Sequence, residues 1–273
     1  MKVSLIVPTY KDTIALRLIL EALELQTYKN FEVIVAEDDN SSETKNLIAS
    51  LHPSYSIKHY SHDDMGNRKP TAVNASIAMS EGDYIIMIDG DTIPYSTFID
   101  AHVRLSESKK ALCGRRVNLG DNVSSDLRTG IKNIGDIEHH FIASLKYLKA
   151  DNSRHLEQGI YLKPNSMLQK IVSKLDKNIH MLASNFSCYK SDLVAVNGID
   201  EALPFAPNRD DTDLEWRLKA IGVEMKSCKF AANLLHLNHP RNDRAEEGAK
   251  NLEIIYEKQK SNEFRCQHGI IKT

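Results

Sequence analysis

The chain has few cysteines and no long apolar run. Its four cysteines stand far apart and form no Cys-x-x-Cys pair; they are Cys113, Cys188, Cys228 and Cys266. This spacing argues against a zinc site and a disulfide scaffold, and it predicts reduced thiols in a cytosol. No stretch of about 18 apolar residues occurs, and the apolar run before Pro8 is too short for a signal peptide. We therefore expect a cytoplasmic protein without a transmembrane segment, whose membrane contact, if any, is peripheral.

An excess of charge of one sign is also missing. The 273 residues include 35 Lys and Arg and 37 Asp and Glu, which leaves a formal net charge of -2. Basic residues are scattered apart from short clusters such as Lys109-Lys110 and Arg115-Arg116. No global field attracts the chain to nucleic acid or anionic lipid, so we expect no nucleic-acid partner. The length suits one large α/β domain or two small ones.

Strand and helix patterns alternate through residue 94. Apolar runs predict strands at 3–7, 31–36, 56–60 and 84–88, and helical spacing predicts helices at 14–25, 43–50 and 71–79. We expect Pro8 to end the first strand and Pro94 to end the fourth. Alternation of this kind implies an α/β fold with a mostly parallel, doubly wound sheet.

The second half of the sequence is less regular. Helices are predicted at 131–149, 167–175, 211–220 and 245–259, strands at 184–192 and 226–230, and residues 120–128 are a polar stretch without an assigned element. We interpret residues 100–180 as an insertion or a cover over the sheet.

Two carboxylates follow the buried strand at 84–88. Asp89 and Asp91 are two residues apart, so at a strand tip their side chains point the same way and converge on one cation. Mg²⁺ and Mn²⁺ prefer carboxylate oxygens. The carboxyl ends of parallel strands are also where open α/β sheets bind ligands. The alternative is that Asp-Gly-Asp is only a polar turn.

Polar residues also follow the first two strands. The first ends in Pro8-Thr9-Tyr10 and the second in Glu37-Asp38-Asp39, so both face the same crevice. An acid there accepts a hydrogen bond from a base or a ribose hydroxyl. We expect one of Asp38 and Asp39 to cap the next helix instead.

A basic stretch precedes the strand predicted at 84–88, which ends beside Asp89. Arg68 and Lys69 lie beside a predicted helix N-terminus, an arrangement that suits a diphosphate. Solvated surface charge remains the alternative for one of the two.

An acid-rich helix start follows Asn208 and Arg209. Its three acids are Asp210, Asp211 and Asp213, and capping of the helix N-terminus, where the helix dipole favours negative charge, would account for two of them. Helical spacing puts Asp210, Asp213 and Arg217 on one face, which leaves Asp211 to take a proton from a substrate hydroxyl. Trp216 is a candidate for stacking on a sugar ring.

A histidine pair closes the series of motifs. In the run from Leu235 to Arg241, a neutral imidazole at His239 would complete the coordination of a metal held by Asp91. The alternatives are a plain polar role for His239 and a metal contact from His236 instead.

Together these motifs resemble the inverting family 2 glycosyltransferases, which have the GT-A fold. The later motifs are most similar to the subgroup whose C-terminal half is akin to β-1,4-galactosyltransferases and chondroitin-type polymerases. Ordered matches extend from residue 3 to about residue 240; the motifs are Pro8-Thr9-Tyr10, Glu37-Asp38, Asp89-Gly90-Asp91, Asn185-Phe186-Ser187, Gly198-Ile199-Asp200-Glu201, Asp210-Asp211-x-Asp213-Leu214-x-x-Arg217 and His236-x-x-His239-Pro240.

The resemblance implies a UDP-sugar donor, a glycan or glycolipid acceptor, and Mn²⁺ or Mg²⁺ as cofactor. It implies that Asp38 contacts the uracil ring, that Asp89 contacts the ribose and metal, that Asp91 and His239 ligate the metal, and that Asp211 is the general base. We also expect donor contacts from Pro8, Thr9, Tyr10, Arg68, Asn74 and Gly90, and acceptor contacts from Asn185, Asp210 and Trp216. Asp210 departs from the family, which usually has Glu there.

The resemblance thus implies a metal-dependent, inverting transfer of a hexose or N-acetylhexosamine to a saccharide hydroxyl in cell-surface polysaccharide or lipopolysaccharide synthesis. We expect one GT-A domain with a nucleotide-sugar half (1–102), an acceptor and catalytic half (103–240) and a helical tail (241–273). A nucleotidyltransferase is one alternative, although the loop after the first strand lacks its usual glycines. A non-catalytic nucleotide-sugar or glycan-binding module is another.

Overall fold

A seven-stranded sheet lies at the centre of the fold. The computed structural model describes residues 1–203, 209–240 and 245–271. Its strands are β1 (Val3–Thr9), β2 (Phe31–Glu37), β3 (Ser56–Ser61), β4 (Tyr84–Ile88), β5 (Thr92–Pro94), β6 (Lys110–Cys113), β7 (Val117–Asn118), β8 (Asn185–Tyr189), β9 (Glu224–Ser227) and β10 (Leu234–His236). The central order is β3-β2-β1-β4-β8-β6-β9, and β5, β10 and β7 form a separate three-stranded sheet. Only β8 runs antiparallel to its neighbours in the central sheet as described, so the predicted mostly parallel sheet is confirmed.

Helices cover both faces of this sheet. They are α1 (Thr13–Glu24), α2 (Ser42–Ser50), α3 (Lys69–Met79), α4 (Phe98–Leu105), α5 (Asp121–Arg128), α6 (Ile134–His139), α7 (Phe141–Ala150), α8 (Met167–Leu175), α9 (Lys190–Ala195), α10 (Asp210–Ala220) and α11 (Ala245–Lys260), with a 3₁₀ turn at Leu156–Gly159. Local caps start several of them; Asp12, Ser41 and Ser166 each accept a backbone N–H three residues on. Within the described ranges, no helix has the length and apolarity needed to cross a bilayer.

The core has two parts, one on each side of the central sheet. Alternate residues of β1 divide between them: Leu5 packs in the cluster that contains α1, and Ile6 in the cluster that contains Val73 and Ile77 of α3. Because both faces are covered, β1 and β2 are buried at every position. This is why their sequences are nearly continuous apolar runs rather than alternating ones.

Pro8 does not end the first strand, contrary to the sequence prediction. The register of β1 with β2 continues through Pro8, opposite Ala36, to Thr9. On its other side, β1 pairs with β4 only as far as Ile6. Pro8 therefore lies past the point where a backbone N–H is needed on that side, and the strand tolerates it.

Other predicted boundaries were also wrong. Pro94 ends β5 in the smaller sheet, so the chain continues in strand form after the Asp-Gly-Asp turn. The helix predicted at 131–149 is two helices, α6 and α7, which meet at His140. The polar stretch at 120–128, which the sequence left unassigned, contains α5, whose Asn122 and Val123 N–H groups donate to the Asp151 carboxylate. A cap supplied from about 30 residues away leaves no local sequence signal.

Candidate functional site

A cavity of about 570 Å³ opens at the carboxyl ends of β1, β2 and β4. Parallel strands bring their loops together at this edge of the sheet, which is why residues distant in sequence meet there. Eight of the predicted site residues line the cavity: Pro8, Thr9, Tyr10, Asp38, Asp89, Gly90, Asp91 and His239. Asp12, Lys69 and Arg128 also line it.

Gly90 allows the tip of β4 to approach the end of β1. A Cβ at this position would lie 2.2 Å from the backbone oxygen of Pro8. No side chain fits against a fixed backbone atom at that distance, so glycine is required for the close approach. The two carboxylates on either side of Gly90 are held at the cavity edge as a result.

Asp91, His236 and His239 form a cluster that suits a metal ion. Their ligand atoms all lie within 4.8 Å of one another. The Nε2 atoms of His236 and His239 lie 3.3 Å and 3.2 Å from Asp91 Oδ2. Antiparallel pairing of β10 with β5 creates this contact, because it sets His236 opposite Thr92, the residue after Asp91. Asp91 Oδ1 is buried and has no hydrogen-bond partner among the described residues.

The electrostatics of the cluster also fit a cation. Burial alone would raise the pKa of Asp91, but hydrogen bonds from His236 and His239 outweigh it and hold that pKa well below its usual range. The carboxylate is therefore ionised, and one of its oxygens lacks a partner. One carboxylate with two imidazoles is a donor set for a divalent transition metal. The sequence favoured His239 and kept His236 as the alternative ligand, and the structure brings both imidazoles to Asp91.

Asp89 is held between two cations. Lys69 Nζ lies 2.8 Å from Asp89 Oδ1, and Arg116 Nη1 lies 3.1 Å from Asp89 Oδ2. Burial would lower the pKa of Lys69, but the charges of Asp89 and Asp210 raise it above its ordinary value. Lys69 thus stays charged beside both acidic groups. Arg116 was missed in the sequence, and its place just after β6 was the signal that could have identified it.

A second ion pair closes the opposite side of the cavity. Arg128, at the end of α5, donates to both carboxylate oxygens of Asp12, at 2.9 Å and 2.8 Å. Asp12 also caps α1 by accepting from the backbone N–H of Ala15. No sequence signal pointed to Arg128, because its partner lies more than a hundred residues away.

Asp38 is bonded within the chain. Its oxygens accept the backbone N–H of Arg68 at 3.0 Å and 2.9 Å, and His62 Nε2 at 2.9 Å. Burial raises the pKa of Asp38 despite these donors. The Arg68 side chain reaches Met65 and does not line the cavity, so Lys69 is the cation of this stretch that does. Ser41, and neither Asp38 nor Asp39, caps α2, which corrects the capping prediction.

The start of α10 brings two further acids beside Lys69. Burial raises the pKa of Asp210 to about 7, against the opposing charge of Lys69. Burial also raises the pKa of Asp211. Asp211 Oδ1 accepts the Thr212 N–H at 2.8 Å. Asn208, in the motif before this helix, and Arg241, in the histidine motif, lie outside the described residues.

Asp213 and Arg217 share one face of α10, as the spacing predicted. Both side chains are fully buried, and Arg217 Nε donates to Asp213 Oδ2 at 2.7 Å. Arg217 also donates to the backbone oxygens of Val196 and Gly198. This pair therefore anchors α10 to the loop after α9. Trp216 is half-buried on the same helix and donates its indole N–H to Asp213 at 3.2 Å.

Two predicted contact residues lie inside the fold. The Asn74 amide donates to Ile199 O and accepts the Ile199 N–H, which ties α3 to that loop. The Asn185 amide donates to the backbone oxygens of Arg115 and Ala232 and lies beside His102 Nε2. These bonds give both asparagines a structural role, and neither lines the cavity.

Solved structures with the same fold are glycosyltransferases. A mannosyltransferase from Pyrobaculum calidifontis, in complex with GDP-Man and Mn²⁺, is similar with a TM-score of 0.61 and 15% identity, over 97% of this chain and 67% of that one. TarS 1-349 from S. aureus, in complex with UDP, gives a TM-score of 0.59 and 15% identity, over 93% of this chain and 64% of that one. These likenesses establish the GT-A fold.

Relatives in sequence are also glycosyltransferases. A GalNAc(5)-diNAcBac-PP-undecaprenol beta-1,3-glucosyltransferase from Campylobacter jejuni is 25% identical over 33% of this chain and 29% of its own length. A UDP-Glc:alpha-D-GlcNAc-diphosphoundecaprenol beta-1,3-glucosyltransferase from Escherichia coli is 30% identical over 40% of this chain and 42% of its own length. The matched segments therefore span less than half of either relative. The sequence model named Glycosyl transferase family 2 matches residues 4–194, and the chain belongs to that family of glycosyltransferases.

Proposed function

We propose that the protein transfers a hexose or N-acetylhexosamine from a UDP-sugar to a saccharide hydroxyl, with inversion at the anomeric carbon and dependence on a divalent metal. One observation carries the proposal. Lys69 pairs with Asp89 at the tip of β4, and its charge also acts on Asp210 and Asp211 at the start of α10, so the candidate base lies near the cavity. A sugar held at the cavity would lie near that base.

The donor half of the cavity suits a nucleoside diphosphate. Asp38, at the end of β2, is an acceptor for the N–H of a pyrimidine base, and Pro8, Thr9 and Tyr10 line the adjacent wall. Lys69, Arg116 and Arg128 supply positive charge for the phosphates. Guanine also offers N–H donors to a carboxylate, so the preference for UDP needs a direct test.

Asp91 and His239 would hold Mn²⁺ or Mg²⁺, together with His236. When bound, the metal supplies charge that stabilises a departing diphosphate. Asp91 contributes an oxygen without a protein partner, and the imidazoles contribute Nε2 atoms beside it.

Asp211 would act as general base. In one displacement, the acceptor oxygen forms a bond to the anomeric carbon as the bond from that carbon to the diphosphate oxygen breaks. The proton of the acceptor hydroxyl passes to Asp211, and the bonding pair leaves with UDP. Because burial raises the pKa of Asp211, its carboxylate is a stronger base than an exposed one. No covalent intermediate with the protein is needed.

The acceptor would lie between α10 and the helical cover of residues 103–180. Asp210 and Trp216 are on α10, near the base, and remain our candidates for acceptor contact. Both named relatives carry undecaprenol-linked saccharides in their names. We therefore propose a lipid-linked saccharide acceptor, used at the cytoplasmic side of a membrane in cell-surface polysaccharide or lipopolysaccharide synthesis.

The deciding experiment is release of UDP from a panel of UDP-sugars, with and without Mn²⁺ and a saccharide acceptor. GDP-mannose belongs in the panel as the competing donor class. We expect acceptor-dependent release of UDP and, from an α-linked donor, a β-linked product by NMR. Pyrophosphate formed from UTP and a sugar phosphate would instead indicate a nucleotidyltransferase. Binding of UDP-sugar without turnover of any acceptor would indicate a binding module.

A further inference from the structure

Helix α8 exposes a row of apolar side chains. Their exposed fractions are 80% for Met167, 55% for Leu168, 45% for Ile171 and 71% for Leu175. Successive residues of a helix are about 100° apart, so these four lie within an arc of roughly 100°. Single exposed apolar residues are ordinary on protein surfaces. A contiguous row on one helix face indicates a binding surface.

The opposite side of α8, which packs against the protein, is polar. Gln169 is only 2% exposed, and its amide donates to Ser173 Oγ at 2.7 Å. Ser173 Oγ in turn donates to the backbone oxygen of Ser227 at 3.4 Å. A helix that covers a core normally turns its apolar stripe inward. In α8 the stripe is turned outward, so it does not serve the core of this chain.

Positive charge borders the apolar row. Lys170 and Lys174 lie along one side of it, and Lys163 and Lys177 lie just before and after the helix; all four are exposed. Within the described residues, none of these lysines takes part in an ion pair, whereas the adjacent Asp176 is paired with Lys229 at 2.9 Å. An apolar stripe flanked by lysines is the pattern of helices that lie in a membrane interface.

The segment that follows α8 is hydrogen-bonded at two points to elements near the candidate site. Arg115 donates to the backbone oxygen of His180 at 2.9 Å, and the next residue, Arg116, is the partner of Asp89. The Met181 N–H donates to Glu215 on α10 at 2.6 Å. The chain just after α8 is therefore tied to α10, the helix that begins with Asp210 and Asp211.

We propose that α8 docks the protein on an anionic lipid bilayer, with its apolar row below the headgroups and its lysines on lipid phosphates. The overall charge of -2 does not prevent this, because the lysines act over a short distance. A second copy of the chain is a poorer occupant. A two-fold contact through α8 would bring the same unpaired lysines together. The benefit of docking, access to a lipid-linked acceptor, rests on the proposed function.

Flotation of the full-length protein with vesicles tests the proposal. We expect binding to equimolar phosphatidylcholine and phosphatidylglycerol, and little binding to phosphatidylcholine alone. Replacing Leu168, Ile171 and Leu175 by serine should weaken binding by about tenfold or more. The double variant Lys170→Glu with Lys174→Glu should weaken it by a similar factor on the anionic vesicles.

Helix α7 provides matched controls. Ile142→Ser, and Lys146→Glu with Lys149→Glu, change exposed residues of the same types and should leave vesicle binding unchanged. Equal losses in the α7 and α8 variants, or binding unchanged by the α8 variants, would overturn the proposal. So would a dimer, measured by light scattering, that the serine variant converts to a monomer while vesicle binding persists.

Donor-side measurements separate this proposal from the proposed function. The α8 variants should keep the UDP affinity and the transfer to a water-soluble saccharide of the unchanged protein. Transfer without vesicle binding by the unchanged protein would reject the docking surface and leave the function standing. Vesicle binding through α8 without any transfer would support the docking surface and reject the proposed function.

Discussion

Lys69 Nζ lies 2.8 Å from Asp89 Oδ1, and the same lysine supplies the charge that opposes the raised pKa of Asp210. One cation therefore lies beside both Asp89, at the tip of β4, and the acids that begin α10. We expect Lys69→Gln to weaken UDP binding by about 10- to 100-fold, since a charge-assisted bond to phosphate is lost. Calorimetry measures this. Lys146→Gln, which changes an exposed lysine of α7, is the control. Equal UDP affinity in the two variants would exclude phosphate contact by Lys69.

The metal cluster gives a second prediction. Asp91→Ala should abolish Mn²⁺-dependent UDP binding while the fold survives, because a strand-tip side chain contributes little to the core. His236→Ala and His239→Ala should each weaken Mn²⁺ binding, since both imidazoles lie within 3.3 Å of Asp91. Titration with Mn²⁺, followed by electron paramagnetic resonance, tests all three variants. Unchanged Mn²⁺ affinity in Asp91→Ala would reject the site.

The third prediction concerns the base. Asp211→Asn is nearly isosteric, so UDP affinity should persist while transfer falls on the order of 10²- to 10⁴-fold. In the unchanged protein, transfer should rise with pH as Asp211 loses its proton, at a pKa above its ordinary value because of burial. If UDP affinity fell together with turnover, Asp211 would belong to the donor pocket instead.

Asp210 should make stability depend on pH. Its pKa is about 7 in the fold and 3.8 ordinarily, so the folded protein holds a proton that the unfolded chain releases. The contribution to the free energy of unfolding is fully present below the ordinary pKa and is lost as pH rises to about 7. It amounts to no more than about 4 kcal/mol. Urea unfolding should show a flatter pH dependence for Asp210→Asn, and identical slopes would contradict the assignment.

The buried pair on α10 gives a stability prediction. Asp213→Ala would leave the Arg217 guanidinium fully buried without its carboxylate partner, and should cost about 3–5 kcal/mol in the free energy of unfolding. Glu43→Ala is the control, because Glu43 is an exposed acid in the first turn of α2. We expect that change to stay within about 0.5 kcal/mol. A similar small loss for Asp213→Ala would show that Arg217 finds other partners.

Local patterns in the sequence were enough for most strands of the central sheet and for most of the cavity wall. Buried parallel strands are continuous apolar runs, so polar residues that follow them, such as Asp38 and Asp89, fall at the same sheet edge whatever the rest of the chain does. The bounds of α8 agree with the prediction for the same reason, because helical spacing and a serine cap are local signals.

Only the tertiary structure decided which distant residues meet. The pairing of β10 with β5 brings His236 to Asp91, and the packing of α5 brings Arg128 to Asp12. Tertiary packing also places the Asn185 amide inside the fold and leaves the apolar row of α8 exposed. Periodicity specifies which residues share a face of an element. Which distant segment covers that face depends on long-range packing, and no local pattern in a single sequence reveals it.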